Sequence, residues 1–186
     1  EGSNNPGPAM FVRYRMGQTE AMGRALKVIG EVHADWGKRT GRHFAPLIEE
    51  YRMEGAQVAL VTIGSMTGAA KDAIDAARDS GQAVGLVKVK TYRPFPAQAM
   101  AKALAGVKAV GVVDRSVSFA WNGGPVYQDT LTALAMAGQR LPIQSMIGGL
   151  AGADITQEHF ERAIARVFAV AKGEGSTATH WMNEKD

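Results

Sequence analysis

Three stretches of this sequence carry side chains or backbone groups that could bind an anion or assist a reaction. Gly64-Ser65-Met66-Thr67-Gly68 joins an apolar run to a helical pattern, and the first amides of a helix lack intrahelical partners and can hold a phosphate or carboxylate. The segment fits neither GxGxxG nor GxxxxGK[ST], and a strand-to-helix turn needs small residues and a hydroxyl cap on steric grounds alone. Architecture is therefore the stronger reading of these five residues. Lys88 and Lys90 alternate, so on a strand they would point to one side, and Arg93 follows at the carboxyl end of that strand, where α/β sheets bind ligands. Its guanidinium suits a carboxylate, a phosphate or a partner's acidic side chain, and equally an anchoring role beside Pro94 and Pro96. Asp114-Arg115, followed by Ser116 and Ser118, invites a hydrolase hypothesis, but no histidine lies near and GxSxG is absent. An Asp114 that caps the following turn and pairs with an arginine is the better expectation. Gly123 and Gly124 allow positive φ or close backbone approach. His33, His43, His159 and His180 show neither HxxxH nor HExxH spacing, which argues against a metal site.

The elements that must position these residues follow from periodicity. Met22, Leu26, Ile29, Val32 and Trp36 are spaced as one face of a helix over 17–39. That face needs a partner surface, either the domain's own sheet or a neighbouring domain. A short strand is expected at 47–51. AQVALVTI reads as a strand buried on both faces, and the helix after it carries Ala69, Ala73, Ile74 and Ala77 on one side and stops at Gly81. AVGLVKVKTY is the next strand, and its two following prolines forbid further central pairing, while Pro96 can open the helix AQAMAKAL. AVGVVD at 109–114, a helix over 126–137, a strand over 142–147 and a final helix capped by Asp154 or Thr156 complete the series. Phe160, Ile164, Val167, Phe168 and Ala171 form the apolar face of that last helix. Strands separated by helices imply crossover connections and a mainly parallel sheet. The organisation expected is a flexible segment 1–16, an amphipathic helix or linker 17–42, an α/β domain 43–173 and a polar tail 174–186. The tail is expected to be disordered or to dock through Trp181 and Met182.

The 186 residues suit one domain, and 46% hydrophobic content supplies its core. A net charge of +3, from 21 basic and 18 acidic side chains spread along the chain, lacks the basic cluster of a nucleic-acid binder. No apolar run approaches the ~20 residues that span a bilayer, so neither nucleic acid nor membrane is an expected partner. The chain has no cysteine, which excludes disulfides and cysteine-held zinc or iron–sulfur clusters within it and accords with a cytoplasmic location. The opening EGSNNPGPA, without an initial Met, has the look of a cut or processed end.

Four segments in order carry a resemblance: VTIGSMTGAAKDAIDAA at 61–77, VKTYRPFP at 89–96, VVDRSVSFAWNGGPVYQD at 112–129 and GGLAGADIT at 148–156. Together they resemble the second, transketolase-C-terminal-like domain of the alpha subunit of pyruvate:ferredoxin and related 2-oxoacid:ferredoxin oxidoreductases. The resemblance covers residues 20–170 and implies a three-layer α/β/α sandwich with a mainly parallel sheet of about five strands, one of them antiparallel. It implies an enzyme that converts a 2-oxoacid, pyruvate in the first instance, to acyl-CoA and CO2 on thiamine diphosphate with magnesium, passing electrons through iron–sulfur clusters to ferredoxin. No GDG-type segment and no cysteine are present to hold those groups, so the resemblance implies a structural and assembly domain, inactive alone, with the cofactors in thiamine-binding and iron–sulfur partner domains or subunits. Arg93, Phe95, Asp114 and Arg115 match recurring family positions and are expected as fold and interface residues, with Gly64, Ser65, Thr67 and Gly68 as further candidate contacts. No catalytic residue carries over. Relatives often have glycine where Ala151 stands. The alternative is a stand-alone α/β module binding an anionic metabolite or coenzyme A moiety at Gly64–Gly68. A transketolase or dehydrogenase C-terminal domain shares the architecture, but YRPFP followed by DRSVSF argues against it. A homodimer through the 17–39 helix stays open.

Overall fold

The structure, a computed structural model, describes residues 7–184. It divides into two compact units, one comprising the chain up to Leu47 together with Thr91–Pro96, the other Ile48–Lys90 and the chain from Ala97 onward.

The first unit is dominated by α1 (Gly7–Thr40), which at 1.5 Å per residue is about 50 Å long. It contains the predicted 17–39 helix and begins ten residues earlier, so residues 7–16, expected to be flexible, are helical. Pro8 falls in the first turn, where a missing N–H costs no intrahelical bond, and nothing from Ala9 to Met16 breaks a helix. Basic Lys38 and Arg39 complement the carboxyl end. Gly37, in the last turn of α1, leaves room for His43 beyond the helix end, since a Cβ there would lie 2.5 Å from the His43 ring. Thr91 joins the second segment of this unit to the first, its amide donating to the Leu47 carbonyl (3.0 Å) and its hydroxyl to the Pro46 carbonyl (2.9 Å).

The second unit holds a six-stranded sheet in the order β1-β3-β2-β4-β5-β6. Its strands are β1 (Ile48–Tyr51), β2 (Val58–Ile63), β3 (Val84–Val89), β4 (Ala109–Asp114), β5 (Ile143–Ile147) and β6 (His180–Trp181). β1 is antiparallel to β3, and every other pair is parallel. The helices are α2 (Thr67–Asp79), α3 (Ala97–Ala103), α4 (Pro125–Met136) and α5 (Gln157–Lys172). The central strands are buried along their length, as a parallel sheet with helices on both faces requires. Because successive side chains point to opposite faces, Val58, Leu60, Val84, Leu86, Ala109 and Val113 meet the apolar sides of α2 and α5, with Phe160, Ile164 and Val167 at the centre. α3 and α4 pack together on the opposite layer.

The sheet has one strand more than expected. Residues 174–186 were expected to be disordered or docked, and β6 shows the docked form for 180–182: Met146 and Ile147 pair with His180 and Trp181, the Met182 amide donates to the Ile147 carbonyl (2.8 Å) and the Met182 side chain is buried in the core. The antiparallel edge strand β1 is tied to α2 by the Lys71–Glu49 ion pair, by Tyr51 donating to Asp75 (2.6 Å) and by Arg52 donating to Asp75 (3.0 Å). Among the described residues no helix is long and apolar enough to cross a membrane.

Mid-β4, Gly111 lets α5 approach the sheet. A Cβ there would lie 2.5 Å from a Val167 methyl and 3.0 Å from both Leu60 and Met146. Gly111→Ala is expected to lower stability by about 1–3 kcal/mol through overpacking. Urea unfolding should show a lower midpoint at unchanged slope, and an unchanged midpoint would contradict so tight a seating.

Candidate functional site

In the second unit β2 leads by way of α2 to β3 on one side, while β4 lies on the other side of β2 and leads onward to β5. The carboxyl ends of β2 and β4 thus flank the place where the winding reverses, the usual ligand crevice of an open α/β sheet. A crevice of about 200 Å³ lies there, lined by Ser65, Met66 and Ala69 after β2, Arg115 after β4, and residues 152–155. Its lining offers a serine, an arginine and an aspartate, without a histidine to act as base.

The helix start after β2 is largely self-satisfied. Gly64 adopts φ +77°, a conformation that favours glycine. The Thr67 hydroxyl donates to the Gly64 carbonyl (2.9 Å) and lies 2.9 Å from the buried Thr62 hydroxyl. The Gly68 amide donates to the Ser65 carbonyl at 3.2 Å and the Ala70 amide to the Met66 carbonyl at 3.1 Å. Ser65 makes no cap to α2, whose N-cap position is Met66. The hydroxyl that organises the turn is thus Thr67, within the first turn of the helix.

Asp114 ends β4 as a buried carboxylate whose two oxygens accept the Val126 amide (2.9 Å) and the Tyr127 amide (3.0 Å), the first donors of α4. It does cap, but a helix that begins eleven residues on rather than the adjoining turn. The expected arginine pairing is not made: the Arg115 guanidinium turns to the Gly149 carbonyl (3.1 Å). Gly124, at the N-cap of α4, permits close approach rather than positive φ, since a Cβ would lie 2.0 Å from the Asp114 carboxyl carbon.

The loop after β5 completes this end. The Gly148 amide donates to the Asp114 carbonyl (3.0 Å). Asn183 clamps the loop from the tail, accepting from the Gly149 amide (2.7 Å) and donating to the Asp154 carbonyl (2.8 Å). Thr156 is the N-cap of α5, and its amide donates to His159 Nδ1 (3.2 Å). Asn183 escaped the sequence reading because nothing in a polar tail distinguishes one asparagine, and only the adjacent Trp181-Met182 hinted at docking.

Arg93 and Phe95 belong to the other unit. β3 ends at Val89, so Arg93 does not stand on the strand as expected, because the chain leaves the sheet ahead of the prolines. Its guanidinium stacks 4.0 Å from the Tyr92 ring centre and donates to the Tyr92 carbonyl (2.8 Å), and Tyr92 packs edge-on against Phe95. The second unit therefore brings together Gly64–Gly68 with Asp114 and Arg115 at one sheet end.

Burial pushes the Asp114 carboxyl up to about 6, against the two amides that hold it down, with Asp129 adding to the rise. Since the folded state holds this proton more tightly than the unfolded chain, the associated stability is present below about pH 4 and is lost as pH rises through about 6. The stability of the wild type relative to Asp114→Asn should accordingly fall by roughly 3 kcal/mol between pH 4 and 7. Denaturation of both proteins across that range checks it, and a gap that widens in favour of the wild type would refute the assignment. Ala151 sits at φ 51°, ψ 29°, a left-handed conformation that costs an L-residue about 1–2 kcal/mol. Ala151→Gly should raise stability by about 0.5–1 kcal/mol after the entropy of glycine is counted, measurable as a higher denaturation midpoint.

The pyruvate:ferredoxin oxidoreductase core domain II family matches residues 56–160. The chain is 56% identical, over its whole length and 45% of the relative's, to the NADH-dependent phenylglyoxylate dehydrogenase subunit alpha of Aromatoleum evansii. It is 34% identical over 176 residues, 94% of its own length and 44% of the relative's, to the pyruvate synthase subunit PorA of Pyrococcus horikoshii. The chain thus spans less than half the length of these relatives. In fold it is similar to a 2-oxoglutarate:ferredoxin oxidoreductase from Magnetococcus marinus, with a TM-score of 0.59 at 20% identity over 88% of this chain and 24% of that one. With the match covering more than half of its residues, the chain belongs to the pyruvate:ferredoxin oxidoreductase core domain II family.

Proposed function

We propose that this chain is an assembly domain of the alpha subunit of a thiamine diphosphate-dependent 2-oxoacid oxidoreductase, one that forms acyl-CoA and CO2 and passes electrons to ferredoxin or a nicotinamide acceptor. The observation that carries the reading is the identity along the entire chain to a phenylglyoxylate dehydrogenase subunit alpha, with 94% of the chain also matched to a pyruvate synthase subunit PorA. The site geometry supports it. Thr67, Asp114, Arg115 and Asn183 at the carboxyl end of the sheet are engaged in holding helix starts and loops, and the first amides of α2 bond within their own turn, which disfavours the stand-alone anion-binding alternative. Among the described residues no three His, Cys, Asp or Glu side chains converge, and the chain has no cysteine. Without cysteine its residues do not fit an iron–sulfur cluster, and the reading assigns thiamine diphosphate, magnesium and cluster chemistry to other domains or subunits of the complex.

Within that class, 56% identity to a phenylglyoxylate dehydrogenase subunit against 34% to a pyruvate synthase subunit favours an aryl-substituted 2-oxoacid over pyruvate. The test is purification of the complex containing this chain from its native cells, followed by assay with coenzyme A and either phenylglyoxylate or pyruvate, each with NAD and with a ferredoxin-like dye. Faster turnover of phenylglyoxylate is expected. Turnover of pyruvate alone would refute the aryl assignment, and absence of any 2-oxoacid-dependent reduction would refute the enzyme class.

A further inference from the structure

Between Arg115 and Asp129 the sequence carries no charged side chain, and this stretch holds the most exposed aromatics of the described chain. Phe119 is 88% and Trp121 76% exposed. They stand on a closed turn: the Ser118 amide donates to the Gly123 carbonyl (2.7 Å) and the Trp121 amide to the Ser118 carbonyl (3.2 Å). Ser118 and Gly123 form an antiparallel bridge. Two non-glycine residues of the turn, Ala120 (φ 70°) and Asn122 (φ 45°), occupy the left-handed region. L-residues held in that region cluster at ligand clamps and switch segments, although asparagine also adopts it in ordinary turns. The base of the turn is fixed by Asp114, which begins the excursion and caps the helix that ends it.

Absence of charge with exposed phenylalanine and tryptophan on a hydrogen-bonded turn is the composition of an interface core, where aromatic anchors dominate the binding energy. The two side chains can bury about 300–500 Å², a fraction of the roughly 800 Å² per partner of a stable interface between separate chains, and the relatives this chain matches are more than twice its length. On the alpha-subunit reading over half of the polypeptide therefore lies outside this segment, and the linking chain gives a contact with it a high effective concentration, so that a small aromatic anchor suffices. Resting on the alpha-subunit reading above, we propose that Phe119 and Trp121 form an anchor that seats in an apolar pocket on the part of the same subunit polypeptide lying outside this segment.

The test uses the full-length alpha subunit in its assembled complex, with Trp121→p-benzoylphenylalanine as a photo-cross-linker and a mixture of isotopically labelled and unlabelled subunits. The expected product is a cross-linked peptide of uniform label from the same polypeptide, outside the present segment. A cross-link confined to this segment, one of mixed label, one to a different subunit, or none would overturn the proposal. Assay of 2-oxoacid-dependent reduction by the unsubstituted complex separates the two failures: an inactive complex with the expected cross-link refutes the enzyme reading alone, and an active complex without it refutes the anchor alone.

Discussion

A single buried carboxylate holds the carboxyl end of the sheet together. Asp114 meets the positive end of α4 with both oxygens, an arrangement that stabilises an anion through the helix dipole and two charge-assisted bonds. Its removal from water opposes that gain, and its proton affinity rises as a result. The backbone adapts to the arrangement. Gly124 is tolerated there as no other residue would be, the Gly148 amide closes on the Asp114 carbonyl, and Arg115 is left to hold the loop after β5. The whole excursion from 115 to 125 departs from this point and returns to it.

Much of the fold was legible because its signals are periodic. Buried strands read as continuous β-branched runs, and the stripe Phe160, Ile164 and Val167 of α5 stands where a 3.6-residue repeat puts it. The edge strand β1 and the helix start after Pro96 were legible from chain-breaking residues on either side. What could not be read is of another kind. β6 has two residues and no period, and its burial resides in one methionine. The residue that Asp114 caps is twelve positions away, and no local pattern encodes that distance. Arg93 reads as a strand end because the strand-forming letters run on to Tyr92, whereas pairing in β3 stops at Val89. Phe119 and Trp121 belong to no periodic apolar face and stand among turn formers; an aromatic pair beside Asn-Gly-Gly in a charge-free run is the signal that marks them.

The family likeness and the site geometry bear on the same point from different directions. Similarity places the chain in the pyruvate:ferredoxin oxidoreductase core domain II family and matches under half the length of its relatives. Geometry shows polar groups that face one another instead of facing a substrate: Thr62 with Thr67, Arg115 with Gly149, Asn183 with both ends of one loop. A crevice at a winding reversal is where ligands bind in many α/β sheets, and here its guanidinium, that of Arg115, is directed to the Gly149 carbonyl.

The short strand β6 has a consequence for the order of synthesis. β5 is buried in full, yet one of its edges is covered only when residues 180–182 arrive, after α5 has been made. A nascent chain that has completed β5 therefore carries a bare, apolar, parallel-pairing edge for the time it takes the ribosome to add the last helix and turn. That interval is the stage at which this domain is open to intermolecular strand pairing, and translation speed across 148–182 sets its length.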